Sequence, residues 1–149
     1  MVDTSEKTPT HRVAVASCVI EMAAETLILI KDDQFQKGNV FEVARIAAIM
    51  GAKRTPDLIP MCHPIRLDSV DVRFTYVSDT KIKITGTVRA LETTGTEMEA
   101  ISAVGVGAMV VYDMCKSVDR GIRILEIQLE EKSGGKSGHF LRKPQPEEL

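Results

Sequence analysis

The segment LDSVDVRFTYVSDTKIKITGTVR, residues 67–89, consists of two runs of alternating side chains joined by a short polar stretch. Apolar residues fall on one face of each run: Val70, Val72, Phe74 and Tyr76 in the first, and Ile82, Ile84 and Val88 in the second. Polar and charged residues fall on the opposite faces. Because side chains alternate along a β-strand, the segment predicts an antiparallel hairpin with one face in contact with water.

The segment that begins the ordered chain differs from this hairpin because it has few polar positions. It reads RVAVASCVI over residues 12–20 and is rich in small and β-branched residues. Such a composition is typical of a strand covered on both faces. A short helical segment is predicted to follow, from about Glu21 to Ile30.

Two further segments carry helix-start signals. Asn39 with Glu42 three residues later has the form of a capping box, and it begins a helix predicted over 40–50 that ends at Gly51. This helix carries apolar residues at spacings of three and four, namely Val43, Ile46, Ala47 and Met50. Thr96 with Glu99 has the same capping-box form and begins a helix predicted to run to about Arg120.

The connections complete the order of elements. The stretch KRTPDLIPMCHP, residues 53–64, contains three prolines and predicts a rigid loop without regular helix. A last strand is predicted over 122–129. Strand, helix, strand, strand, helix, strand is the split βαβ order of α+β, ferredoxin-like folds, with two main helices on one face of a four-stranded antiparallel sheet.

We therefore expect a single domain over residues 11–140, flanked by flexible tails at 1–10 and 141–149. The sheet face opposite the helices needs a cover, since the first strand offers water little polar surface. Another copy of the chain is the predicted cover, which makes the protein a homo-oligomer.

Composition narrows the function classes. The chain has 149 residues, 44% of them hydrophobic, and a formal charge of −2, so it lacks the basic surface that nucleic-acid binding requires. Three cysteines without a CxxC pair indicate neither a zinc ribbon nor a disulfide framework, and they fit a reducing, cytoplasmic environment. The uncharged run at 100–112 is too short for a membrane span, and no secretory segment is predicted.

The end of the second long helix carries the first candidate site. Asp113 and Lys116 are three residues apart, so they are neighbours on one helical face and can share acid and base duties. A solvated ion pair would have the same spacing. Because the pair ends a long uncharged run, we expect it to be partly buried.

The other end of that helix carries Glu97 and Glu99, which capping and the helix dipole could explain by themselves. Asp113 follows Glu99 by 14 residues, or about 21 Å at the usual helical rise. One small ligand cannot touch both ends of a single copy. If both ends serve one substrate, the site is composite and its two ends come from different subunits.

Loop residues supply further candidates. His63, in the stretch MCHP, could carry protons or bind substrate, or it could be structural; no second His lies at metal-ligand spacing. The stretch KSGGKSG from Lys132 fails the phosphate-loop pattern, because Glu130 stands where the first Gly is required. It could still close over an anion through Lys132 or Lys136, or serve only as a linker.

Three blocks carry a resemblance to a known family. KGNVFEVARIAAIMGAKRTPDLIPMCHP, TGTEMEAISAVGVGAMVVYDMCK and EKSGGKSG closely resemble, in this order, the signature blocks of the MoaC family, the cyclic pyranopterin monophosphate synthases. The likeness extends from about residue 12 to residue 140. Asn39 departs from the familiar Asp of the first block, but Asn caps a helix equally well.

The resemblance implies an enzyme of molybdenum cofactor biosynthesis that converts 3′,8-cyclo-7,8-dihydro-GTP to cyclic pyranopterin monophosphate and releases pyrophosphate, without a redox cofactor. No residue is assigned as a metal ligand. It implies a ferredoxin-like hexamer, a trimer of dimers, with sites between subunits and possible contact with the preceding radical enzyme. Asp113 and Lys116 resemble the catalytic pair. The implied substrate-binding residues are Met61, Cys62, His63, Glu97, Met98, Glu99, Lys37 and Lys132. A regulatory or RNA-binding module without catalysis is the alternative from another class.

Overall fold

The computed structural model describes residues 1–143, so the predicted tail at 141–149 lies mostly outside the described residues. Within these residues there are five strands: β1 (Thr10–Glu21), β2 (Ser69–Tyr76), β3 (Lys81–Glu92), β4 (Arg123–Ser133) and β5 (Phe140–Leu141). Four helices accompany them: α1 (Ala24–Lys31), α2 (Val40–Lys53), α3 (Thr55–Leu58) and α4 (Glu97–Cys115). The α+β class is confirmed.

All five strands form one antiparallel sheet in the order β2-β3-β1-β4-β5. The predicted hairpin is present as β2 and β3, with Val70 opposite Val88 and Phe74 opposite Ile84. The predicted count of four strands is wrong in one respect, because the two-residue β5 pairs with Glu131 and Lys132 at the edge of β4. The sequence GGKSGH between β4 and β5 is polar and rich in glycine, and no alternation of side chains indicates the short strand that follows it.

The core lies between one face of the sheet and the helices α2 and α4. The face of β1 that carries Ala14, Ala16, Cys18 and Ile20 is fully buried. Small residues allow close approach of the layers: a Cβ on Gly107 would lie 3.3 Å from the Cβ of Ala48. By length and composition alone α4 could span a membrane, but half of it is buried inside the fold, as in the core helix of a soluble domain.

Residues 1–143 provide no such cover for the opposite face of the sheet within one copy of the chain. Val15 and Val19 on this face of β1 are only partly buried. Next to them Ser17 donates a hydrogen bond to Glu130, and Lys83 forms an ion pair with the same carboxylate at 3.4 Å. The prediction that β1 is covered on both faces is therefore not met by a single subunit.

Helix α2 presents a different face to the core from the one that its apolar spacing indicates. The buried residues are small, namely Val40, Ala44, Ala48, Gly51 and Ala52, whereas Val43, Ile46 and Met50 are exposed. The helix also passes the predicted stop at Gly51 and ends at Lys53. Gly51 is a packing position, since a Cβ there would lie 2.8 Å from Cγ2 of Val106.

Three other local predictions are wrong. The proline-rich loop contains the four-residue helix α3, which tolerates Pro56 because an N–H in the first turn would have no intrahelical acceptor. Helix α4 ends at Cys115, before the predicted Arg120. Thr96 makes no side-chain cap; its hydroxyl lies 3.5 Å from the carbonyl oxygen of Val88. The Asn39 cap, in contrast, is present, with its side chain accepting from the N–H of Glu42 at 3.0 Å.

Candidate active site

Three charged side chains meet at the end of α4. Asp113 lies in the last turn of the helix, Lys116 is its C-cap residue, and Lys37 reaches them from the loop before α2. Lys116 Nζ lies 2.6 Å from one carboxylate oxygen of Asp113, and Lys37 Nζ lies 3.0 Å from the other. Lys37 also donates to the backbone carbonyl of Asp113 at 3.0 Å. Sequence spacing predicts the first contact but not the second, which depends on the packing of α2 against α4.

These contacts favour the charged forms of Asp113 and Lys116. The hydrogen bond from Lys116 and that from Lys37 lower the pKa of Asp113 to about 2. The same bond to Asp113 raises the pKa of Lys116. The expected partial burial is wrong for a single subunit, since the Asp113 side chain is 55% exposed.

A second group of candidates surrounds a cavity at the beginning of α4. Its volume is about 210 Å³, and its lining includes all six predicted residues of this region, Met61, Cys62, His63, Glu97, Met98 and Glu99. The loop after α3 supplies the first three and the first turn of α4 supplies the others. The two blocks are more than 30 residues apart in the chain, and the fold brings them together.

Glu99 is the most perturbed carboxyl group in this cavity. It is only 3% exposed, and burial raises its pKa to about 7, with a further contribution from the charge of Glu97. The explanation of Glu99 as half of a capping box fails, because Thr96 does not cap the helix. Burial, followed by the charge of Glu99, also raises the pKa of Cys62. A carboxyl group that is half-protonated near neutral pH can both give and take a proton.

A larger cavity of about 740 Å³ lies beside the first, and both are lined by Thr94, Gly95 and Glu97. Lys132 enters it from β4; its side chain is 13% exposed and its Nζ lies 3.8 Å from a carboxylate oxygen of Glu97. The remaining lining includes several basic and hydroxyl side chains, among them Lys7, Arg12, Lys136 and Ser137. This composition at the N-terminus of a 19-residue helix suits an anionic ligand.

Sequence reasoning missed the residues at the start of the chain. The segment 1–9 contains no helix or strand, but Glu6, Lys7 and Thr8 line the larger cavity. The amino group of Met1 lies 3.8 Å from the sulfur of Met61. Nothing in this polar stretch signals such a position, and its composition is that of a tail.

The predicted site residues thus fall into two groups in one copy of the chain. Six residues and Lys132 lie around the two adjoining cavities, while Asp113, Lys116 and Lys37 line neither cavity. Glu99 and Asp113 occupy the same helix about 21 Å apart, by the usual rise per residue. All three cysteines are free, and among residues 1–143 no group of three or more His, Cys, Asp or Glu side chains could hold a metal ion.

Together the fold and these clusters define a small α+β protein with one exposed acid–base cluster and two adjoining cavities suited to an anionic ligand. The model of the MoaC family matches residues 1–135 of the chain. The chain therefore belongs to the MoaC family.

Relatives with about 50% sequence identity to the chain support this assignment. A cyclic pyranopterin monophosphate synthase of Brevibacillus brevis is 49% identical over 142 residues, which are 95% of this chain and 89% of that protein. Cyclic pyranopterin monophosphate synthase 1 of Mycobacterium tuberculosis is 52% identical over 142 residues, 95% of this chain and 84% of that protein. The synthase of Syntrophomonas wolfei is 50% identical over 143 residues, with 95% and 91% covered.

Proposed function

We propose that this chain is a cyclic pyranopterin monophosphate synthase, a phosphorus–oxygen lyase of molybdenum cofactor biosynthesis. It would convert 3′,8-cyclo-7,8-dihydro-GTP to cyclic pyranopterin monophosphate and release pyrophosphate. The observation that carries the proposal is identity of about 50% over 95% of the chain to proteins with this name. The charges and pKa values of the two clusters fit the needs of such a substrate.

The substrate's triphosphate requires cations. Lys37 and Lys116 are both directed at Asp113, and Lys132 lies in the larger cavity. Ammonium groups placed around a departing pyrophosphate stabilise the charge that develops on it. We assign these three lysines to that role.

Rearrangement of the ring also requires repeated proton transfers. Burial raises the pKa of Glu99 to about 7, so this carboxyl group can exchange protons at neutral pH. His63 lies in the same cavity, within reach of the same substrate. Met61, Cys62 and Met98 complete the lining of that cavity and would contact the base and sugar.

Asp113 acts differently in this proposal. With two ammonium partners its pKa of about 2 makes it a weak base. An incoming phosphate would compete for Lys37 and Lys116, and the loss of these partners would raise the pKa of Asp113. Substrate binding would thereby convert a fixed anion into a catalytic base, with Lys116 as its partner in proton transfer.

Both clusters can serve one substrate only if different subunits contribute them. A homo-hexamer, a trimer of dimers, with sites between subunits satisfies this requirement. Exposed apolar residues favour association: Ile46 is 60% exposed, Met50 55% and Met109 on the neighbouring α4 56%. The half-covered valines of β1 form a second candidate contact face.

The proposal also includes a ferredoxin-like arrangement of the sheet, a location in the cell and a source of the substrate. The strand order β2-β3-β1-β4 with crossovers through α2 and α4 supports a ferredoxin-like arrangement. We also propose that the protein acts in the cytoplasm, without nucleic-acid or membrane partners, and receives its substrate from the preceding radical enzyme of the pathway.

The test of this function is incubation of the purified protein with the cyclised nucleotide, with pyrophosphate and the pterin product measured together. Release of both supports the proposal. Binding of the nucleotide without release would contradict it and favour a binding module.

The composite site has a separate test in mixed oligomers. Glu99→Gln and Asp113→Asn damage opposite ends of α4, so each variant alone should be inactive. Hybrids of the two contain some sites with both ends intact, about a quarter of them after random mixing of subunits. No recovery of activity in exchanged hybrids, with exchange verified by mass spectrometry, would show that both ends belong to one subunit.

A further inference from the structure

Arg12 occupies an unusual position at the wall of the larger cavity. It lies near the start of β1 and is only partly exposed. Its Nε donates to the carbonyl oxygen of Glu92 at 3.1 Å, and its Nη2 donates to that of Thr93 at 3.1 Å. Two of its nitrogens therefore bind the last residue of β3 and the first residue of the segment that connects β3 to α4.

The other side of the same guanidinium contacts the loop after β4. Gly135 approaches so closely that a Cβ added there would overlap Nη1 of Arg12, and a Cβ on Gly134 would overlap the carbonyl oxygen of His11. Both glycines have positive φ angles, 98° at Gly134 and 75° at Gly135. The loop thus lies directly against β1 and the Arg12 side chain.

Through these contacts Arg12 connects the segment before α4, which leads to Glu97, with the loop after β4, which follows Lys132. Glu97 follows the Thr93–Gly95 segment, and Lys132 lies two residues before Gly134, the first glycine of the loop. Lys132 also donates to Ser137 of that loop. The 3.8 Å separation of Lys132 and Glu97 therefore depends on two segments that Arg12 holds together.

We propose that Arg12 is a positioning residue for the Lys132–Glu97 pair. The planar guanidinium can bond two carbonyl oxygens on one edge while the loop packs against it, which the single ammonium of a lysine cannot do. The inference uses one part of the proposed function, namely that Lys132 and Glu97 bind the substrate. Arg12 acts through them.

The test uses Arg12→Lys, Gly135→Ala and their double variant. Gly138→Ala is the matched control, because Gly138 has a similar φ of 68° but no atom within 4 Å of an added Cβ. None of the four variants changes the net charge of the protein, and circular dichroism verifies that each one folds. We expect Arg12→Lys and Gly135→Ala each to raise KM by about tenfold, the effect of losing one hydrogen bond from a charged group.

The double variant distinguishes positioning from direct binding. If both changes disable one contact, the double variant loses no more than either single variant, whereas independent roles give multiplied losses. Gly138→Ala should keep the wild-type KM. Multiplied losses, or a Gly135→Ala variant that behaves like Gly138→Ala, would overturn the proposal.

A readout independent of the reaction separates this inference from the proposed function. Limited trypsin digestion followed by mass spectrometry measures cleavage after Lys136, within the loop. Cleavage should accelerate several-fold in Arg12→Lys and Gly135→Ala relative to wild type and Gly138→Ala. Equal cleavage rates would contradict the role of Arg12, while failure of the wild-type protein to release pyrophosphate would contradict only the proposed function.

Discussion

Replacement of Glu99 by glutamine should change how the stability of the protein depends on pH. The folded state raises the pKa of Glu99 from its ordinary 4.5 to about 7, because the side chain is buried. Between these two pH values the folded state binds a proton that the unfolded chain has lost. Stability is therefore full at or below pH 4.5 and falls as the pH rises through about 7.

The magnitude follows from the shift. A change of this size corresponds to about 3 kcal/mol, at about 1.4 kcal/mol for each pKa unit. Glutamine has nearly the same shape and does not titrate, so Glu99→Gln should match the wild type near pH 4.5. Above pH 7 the variant should be more stable than the wild type by about 3 kcal/mol.

Urea denaturation from pH 4.5 to pH 8 measures this difference, at one fixed protein concentration because subunit association also contributes. Glu25→Gln, at an exposed position in the first turn of α1, is the matched control and should follow the wild-type curve. Glu97→Gln should move the wild-type transition to lower pH, since the charge of Glu97 raises the pKa of Glu99. Parallel curves for Glu99→Gln and wild type would refute the reasoning.

Two further predictions concern α4 and its partner helix. Asp113→Asn should lower kcat by about 10²-fold or more while leaving the circular dichroism spectrum unchanged, because it removes a base but keeps the shape; wild-type turnover would exclude Asp113 from proton transfer. Gly51→Ala should destabilise the fold by about 1–3 kcal/mol in thermal unfolding, since the new Cβ meets Val106. Gly105→Ala, whose nearest neighbour is 3.9 Å away, should be neutral or stabilising.

The sheet was largely predictable because alternation is a local property. Val70 to Tyr76 place every second side chain on one face, and this pattern sets the pairing with Ile82 to Val88. The pair of Asp113 and Lys116 was predictable for the same reason, since helical spacing is local. Lys37 joins them only through the packing of α2, which no local pattern encodes.

Where the sequence misled, tertiary packing decided the outcome. Helix α2 buries small residues such as Ala44 and Ala48, so that α4 can approach closely, and leaves Ile46 outside. The residues Thr96 and Glu99 have the spacing of a capping box. In the fold, however, the Thr96 hydroxyl lies next to the carbonyl oxygen of Val88 in β3, and the Glu99 side chain is buried. The contacts of Arg12 join residues 80 or more positions apart in the chain, a separation that no local motif covers.

The length of α4 has a consequence for how the chain can change. Each residue inserted into the middle of the helix rotates all the helical residues that follow it by about 100° and shifts them by about 1.5 Å along the axis. An insertion near Gly105 would leave a well-formed helix but swing Asp113 away from Lys37. Natural or engineered variation in this stretch should therefore take the form of substitutions, while gains and losses of single residues accumulate in the loops on either side.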